Sequence, residues 1–195
     1  MFDFVRGYLA HKDPSTAVVD VGGVGFSLII PNSTFDRLGQ AGEEVALFTR
    51  LVHREDSMEL YGFATPAERS MFDLLMSVSG VGAKLAVKIL DGMRVAELAE
   101  AIRSRDHKRL TSIPGIGRKG AEKICIELET KVGKIVIPDT EIPRGATGDA
   151  VDALSALGFP RNEAAEAIQQ VLSESETADT SELIRAALAK LSSKK

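Results

Sequence analysis

The sequence predicts a mixed α+β chain: a small β-barrel first, an all-helical middle next, and a bundle of three helices last. Three observations carry this expectation. The first third holds five short runs rich in β-branched and aromatic residues. Near residue 64 the apolar spacing changes to a helical one. A twelve-residue pattern then recurs after 35 residues. With 195 residues, 44% of them apolar and 27% charged, the composition is that of globular domains. The formal charge of −4 hides a division. Residues 1–63 carry five basic and nine acidic side chains, residues 64–134 thirteen and nine, and residues 135–195 six and ten, for nets of −4, +4 and −4. Because surface charge selects partners, the basic middle is the feature to explain.

Strands are expected at Phe2–Leu9, Ala17–Val21, Phe26–Ile30, Glu43–Leu51 and Glu59–Phe63. Gly22-Gly23-Val24-Gly25 supplies a hairpin turn between the second and third. Ser33 or Thr34 is placed to cap a brief helix running to Leu38. Five strands with one helix after the third match an OB-type barrel over residues 1–63, although closure is not readable from sequence.

Thr65-Pro66-Ala67-Glu68 then offers an N-cap, a proline at the first helical position and a reciprocal glutamate at N3. Residues 64–134 read as helices broken only by glycine-centred turns. Residues 135–148, with Pro138, Pro143 and Gly145, read as a linker. Residues 149–195 read as a three-helix domain, with Leu154, Leu157, Ile168, Val171, Leu183, Ile184, Leu188 and Leu191 as its core. Gly158-Phe159-Pro160 divides the first helix from the second.

The repeat aligns Val78-Ser79-Gly80-Val81-Gly82-Ala83-Lys84-Leu85-Ala86-Val87-Lys88-Ile89 with Ile113-Pro114-Gly115-Ile116-Gly117-Arg118-Lys119-Gly120-Ala121-Glu122-Lys123-Ile124, without a gap. Between two helices, Gly-apolar-Gly permits a tight turn at positive φ, and the central Val81 or Ile116 can plug the core beneath it. The next helix then starts with unpaired N–H groups, a ready anion site. Lys84 and Lys119 fall in that first turn, where the helix dipole disfavours a cation; a bound phosphate reverses the sign. Packing alone can explain one such turn. Two of them, with matched lysines on a basic segment, favour binding of a nucleic-acid backbone, and contacts of this type carry no base information.

Several chemistries are excluded or disfavoured. The single cysteine, Cys125, rules out an internal disulfide and any all-cysteine metal site, and fits a reducing, cytoplasmic setting. His11, His53 and His107 lack metal-ligand spacing. No Walker A sequence occurs, no run of 18 apolar residues appears, and Met1–Arg6 lacks the order of a secretory signal. The expectation is a protein with no catalytic residue, metal or cofactor of its own.

The paired turns resemble tandem helix-hairpin-helix DNA-binding modules. In order and spacing the whole chain is similar to the RuvA family, the Holliday-junction-binding subunits of the bacterial RuvAB branch-migration complex. The resemblance rests on the OB-like start closing with Leu60-Tyr61-Gly62-Phe63, on Ser79-Gly80-Val81-Gly82 and Pro114-Gly115-Ile116-Gly117, and on Ala153-Leu154-Ser155-Ala156-Leu157-Gly158-Phe159 in the last segment. It implies a homotetramer, one or two per junction, that holds a four-way junction open during recombination, DNA repair and the SOS response to DNA damage. It also implies docking of the hexameric ATPase RuvB on the C-terminal domain, and contact with the junction-resolving nuclease RuvC. Carried over by motif, phosphate binding falls on the backbones of Gly80, Val81, Gly82, Gly115, Ile116 and Gly117, supported by Lys84, Arg118, Lys119 and Lys123. Because Arg118 replaces the Ala83 of the first hairpin, the second is expected to grip more tightly.

The same resemblance makes Glu55 and Asp56 an acidic pin at the crossover; from the residues alone, His53-Arg54-Glu55-Asp56-Ser57 reads as a solvated turn. Two other readings compete. A helix-hairpin-helix DNA glycosylase requires a catalytic Asp after the hairpin, and Asp139 is at hand, but it falls in the linker and the chain has 5% aromatics and no Trp to stack a flipped base. A single-strand adaptor requires a cationic barrel groove, which a net of −4 over residues 1–63 opposes.

Overall fold

A computed structural model describes residues 2–133, 135, 146–174 and 179–192. The expected linker, residues 135–148, and Asp139 lie largely outside the described residues. The chain divides into two compact units, residues 1–142 and 143–195.

The first unit opens with five strands, β1 (Phe4–Asp13), β2 (Thr16–Val21), β3 (Val24–Ile29), β4 (Glu44–His53) and β5 (Met58–Phe63). They close into a barrel in the order β1-β2-β3-β5-β4. Neighbours are antiparallel except β3 and β5, which meet in parallel at Ile29 and Tyr61 and so complete the ring. Period-2 patterning sends Val5, Leu9, Ala17, Val19, Leu28 and Leu47 inward as the barrel core. Val21 pairs with Val24 and Asp20 with Gly25, so the expected turn over residues 22–25 tightens to Gly22-Gly23, and β3 begins two residues before the expected Phe26.

Between β3 and β4 lies the short helix α1 (Asn32–Phe35), which ends before the expected Leu38. Its N-cap is Pro31, with no side-chain cap hydrogen bond, so Ser33 and Thr34 do not cap it. They are drawn elsewhere. Ser33 Oγ donates to Glu68 Oε1 at 2.6 Å and Thr34 Oγ1 to Glu68 Oε2 at 3.3 Å. Glu68 is 5% exposed, and the same Oε2 accepts from the amide of Thr65 at 3.1 Å. That last bond is half of the capping box that starts α2 (Pro66–Met76), as the Thr-Pro-x-Glu signature requires. One buried carboxylate therefore caps a helix and ties it to the barrel, with its hydrogen-bonding capacity satisfied.

Four more helices complete the unit: α3 (Ala83–Gly92), α4 (Val95–Arg103), α5 (His107–Thr111) and α6 (Arg118–Val132). Their apolar faces join Phe48, Tyr61 and Phe63 of the barrel in one continuous core. At the joint sits Phe72 of α2, fully buried, its ring centroid 5.0 Å from those of both Tyr61 and Phe63.

The second unit is a three-helix domain of α7 (Ala146–Ala156), α8 (Arg161–Glu174) and α9 (Thr180–Ser192). Leu154, Ile168, Val171, Leu183 and Leu191 are buried there, with Ala150, Ala164, Ala167 and Ala187 allowing close helix approach; Ile184 and Leu188 pack at the edge. Leu157, expected in this core, is instead 62% exposed. It is the residue at which α7 ends. The amide of Gly158, at φ +94°, donates to Ser155 O and that of Phe159 to Leu154 O, which closes a Schellman turn and rotates Leu157 out to solvent. Among the described residues, no helix is long and apolar enough to cross a membrane.

Because Phe72 belongs to both the barrel and the helical core, Phe72→Ala should lower the unfolding free energy of this unit by about 3–5 kcal/mol. Phe72→Leu, which keeps most of the volume, should cost less. Urea unfolding followed by circular dichroism measures both.

Candidate nucleic-acid interface

The repeated sequence folds into two turns that match bond for bond. Hairpin 1 joins α2 to α3, and hairpin 2 joins α5 to α6. The first helix of each ends at a serine, Ser77 or Ser112, still in the right-handed helical region. Val78 then donates its amide to Leu75 O at 3.0 Å, and Ile113 to Leu110 O at 3.2 Å. Gly80 and Gly115 follow at φ +95° and +101°, a backbone region closed to L side chains without strain. Val81 and Ile116 come next, their side chains 9% and 6% exposed and their amides donating to Val78 O and Ile113 O at 3.0 and 3.1 Å. The apolar residue between the glycines is thus an inward plug, as the repeat predicts, and its own amide is spent inside the turn.

Free donors remain on both sides of that plug: the amides of Gly80 and Gly115 before it, which have no acceptor among the described residues, and those of the next helix after it. Gly82 and Gly117 are extended N-caps with nearly equal dihedrals (φ −88°, ψ 169° and φ −85°, ψ 171°) and no side-chain cap. The first bonds of the new helices are Ala86 N to Gly82 O and Ala121 N to Gly117 O, both 2.9 Å. The amides of Gly82, Ala83, Lys84 and Leu85, and of Gly117, Arg118, Lys119 and Gly120, therefore have no acceptor among the described residues. By contrast, α2 and α5 begin with side-chain caps from Thr65 and Asp106, and at α4 Glu97 Oε2 accepts the amide of the N-cap Arg94 at 3.4 Å. At both turns the glycines are exposed, as are Lys84, Arg118, Lys119 and Lys123. Neither α3 nor α6 has an acidic residue in its first turn. Lys123 lies 3.9 Å from Glu127 in an i,i+4 pair, so its charge is partly answered within the helix.

The two turns are neighbours: a Cβ added to Gly115 would stand 3.2 Å from Leu85 Cδ1 of α3. Glu55 and Asp56 are exposed in the loop between β4 and β5, which is closed by Arg54 N donating to Ser57 O at 2.8 Å. Ser57 Oγ donates to Asp56 Oδ1 at 3.3 Å, and neither acid forms an ion pair among the described residues. Arg54 of this loop reaches the first hairpin, its Nη2 4.0 Å from where a Cβ on Gly82 would sit. The structure thus brings the acidic loop and hairpin 1 together through a cation that the sequence reading passed over; only its place beside Glu55 hinted at a role. Behind it, burial and the hydrogen bond to Glu59 at 2.8 Å push the Tyr61 phenol well above its usual range, so it stays a neutral donor.

Beside hairpin 2, His107, Lys108, Thr111, Ile116, Gly117 and Arg118 line an open groove of about 430 Å³. Among the described residues, no three His, Cys, Asp or Glu side chains gather as a metal site.

Comparison with known proteins agrees with this architecture. Residues 1–62 match the model of the RuvA N terminal domain, residues 72–130 that of the SAM-like helix-hairpin-helix tandem, and residues 145–192 that of the RuvA C-terminal domain. A protein of Leptothrix cholodnii described as "Holliday junction branch migration complex subunit RuvA" is 44% identical over 191 residues, 97% of this chain and 100% of that protein. Proteins of the same description from Burkholderia thailandensis and Burkholderia pseudomallei strain K96243 are each 44% identical over 173 residues, 88% of this chain and 90% of theirs. Similar to such relatives along nearly its whole length, and matched at both ends by that family's own domain models, the chain belongs to the RuvA family.

Proposed function

We infer that this chain is the non-catalytic junction-binding subunit of a RuvAB branch-migration complex, with four-way junction DNA and a RuvB motor as its partners. The observation that carries the reading is the pair of matched turns, each presenting unpaired amides and a first-turn lysine on an exposed surface. Main-chain donors at a helix N-terminus suit phosphate oxygens, and lysines or arginines around them neutralise its charge. Gly80, Val81 and Gly82 form the first phosphate cradle and Gly115, Ile116 and Gly117 the second. Lys84, Arg118, Lys119 and Lys123 are the supporting cations. Within each cradle the hydrogen bonds to phosphate fall to the amides of Gly80 or Gly115, of Gly82 or Gly117 and of the residues after them, while Val81 and Ile116 hold the shape. Such contacts recognise DNA by structure and leave sequence unread.

Glu55 and Asp56 supply a repulsive element. Carboxylates within a Debye length of phosphates, about 8–10 Å at physiological salt, penalise a continuous duplex passing through that point and favour separated strands. Arg54, between this loop and Gly82, sets the boundary between the gripping and the repelling surfaces. Four such chains around one junction place one hairpin pair on each arm, and a second tetramer can cover the opposite face. The acidic C-terminal domain is suited to a protein partner and is the seat of the motor; RuvC is a further partner for the open junction. With no Walker A sequence in this chain, ATP chemistry enters through the motor.

Competition between a four-way junction, linear duplex and single strand, with particle mass measured alongside, tests the whole reading; a preference for single strands rejects it. Gly80→Ala and Gly115→Ala each force an L residue into positive φ, a local cost of about 1–3 kcal/mol. Each should weaken junction binding on the order of tenfold while far-ultraviolet circular dichroism stays unchanged. Glu55→Gln combined with Asp56→Asn should raise affinity for linear duplex and reduce junction selectivity in a gel-shift competition; unchanged selectivity rejects the pin. Removal of residues 143–195 should leave junction binding intact and abolish motor-driven branch migration in a strand-release assay.

A further inference from the structure

The two hairpins share one turn geometry but not one environment. At the 35-residue offset, Phe72, Asp73, Met76 and Ala83 of the first repeat correspond to His107, Lys108, Thr111 and Arg118 of the second. In the first repeat the barrel partners Phe72 and Asp73. Phe72 is fully buried against Tyr61 and Phe63, Asp73 lies 3.1 Å from Arg50 of β4, and Ala83 is fully buried. In the second repeat α5 packs on α4 and α6, and the corresponding face is the open groove lined by His107, Lys108, Thr111, Ile116, Gly117 and Arg118.

No carboxylate lines this groove. The acids nearest in the chain are engaged elsewhere. Asp106 Oδ1 accepts the amide of Arg109 at 3.1 Å as the cap of α5. Glu129 is paired at 2.6 Å with Arg105, a residue in the left-handed region that turns its guanidinium toward α6. Glu97 is held below the usual carboxylate range by Arg94, with a smaller contribution from Arg109. Lys108 and Arg118 stand exposed at the groove beside the half-buried His107. The result is a shallow, open depression, apolar over most of its exposed lining and edged by Lys108, Arg118 and His107, that runs directly into the Gly117 turn. Such a surface suits a sugar–phosphate backbone better than an enclosed small molecule.

We propose that this groove is a second phosphate subsite, in which Lys108, with His107 and Arg118, holds the backbone phosphate adjacent to the one taken by the amides after Gly117. Hairpin 2 then grips two phosphates where hairpin 1 grips one, and each DNA arm is held asymmetrically. The proposal rests on the reading that the hairpins bind DNA.

The test measures junction affinity of the full-length chain over a range of salt concentrations for the wild type, Lys108→Gln, Lys108→Arg and the control Lys131→Gln, which makes the same charge change near the far end of α6. Lys108→Gln should weaken binding about three- to tenfold and flatten the slope of log affinity against log salt by about 0.9 for each protomer on the DNA. Lys108→Arg should keep the slope. If Lys108→Gln matches Lys131→Gln in both affinity and slope, the subsite is overturned, while junction binding by the hairpins stands. A change in particle mass of the DNA-free protein on Lys108→Gln assigns the groove to a second copy of this chain and also overturns it. A wild-type chain that does not prefer the junction removes the underlying reading, and the subsite with it.

Discussion

The amides at the starts of α3 and α6 have no acceptor among the described residues, and the turns before them are built to keep them so. A helix N-terminus is ordinarily closed by a side chain, as Thr65 and Asp106 close α2 and α5. At Gly82 and Gly117 that cap is missing, and the preceding positive-φ glycine carries the chain in so that the next residue, Val81 or Ile116, anchors the turn from below. The turn is rigid because its apolar plug is buried and its inner amide is bonded. Its outward amides stay free because the N-cap has no side chain. For the proposed phosphate binding, a set of donors built this way needs no rearrangement.

A second constraint sets where that surface stands. Barrel and helices share one core through Phe72, and Glu68 ties α1, Thr65 and α2 together with hydrogen bonds of 2.6–3.3 Å. The loop carrying Glu55 and Asp56 springs from the same barrel strands that hold Phe48, Tyr61 and Phe63. Its position relative to hairpin 1 is therefore set by packing, and Arg54 lies across the gap. The proposed electrostatic discrimination, decaying over about 8–10 Å, needs such fixed spacing between its attractive and repulsive groups.

The shared core also explains why a duplicated sequence yields two unlike surfaces. In the first repeat, Phe72 and Asp73 face a barrel and have an aromatic and an ionic partner there. In the second, α5 is a five-residue helix against other helices, and the matching positions bear a histidine and a lysine at an open groove. Duplication conserves the turn because main-chain geometry demands glycine. It leaves the flanks free to follow whatever each copy packs against.

The elements governed by local chemistry were legible in the residues: the Thr65–Glu68 capping box, the presence of a hairpin turn at Gly22-Gly23, the glycine elbows and the inward Val81 and Ile116. Each depends on bonds within a few residues, so a short stretch of sequence determines it. Barrel closure through the parallel contact of β3 with β5, the capture of Ser33 and Thr34 by Glu68, and the outward turn of Leu157 at a helix end were decided otherwise. So were the approach of Arg54 to Gly82 and the open groove at Lys108. Some depend on partners far off in the chain, as Glu68 is from Ser33 and Arg54 from Gly82; the others depend on what the neighbouring elements leave uncovered or on where a helix stops. A chain read in order carries no record of such distances until packing brings the parts together.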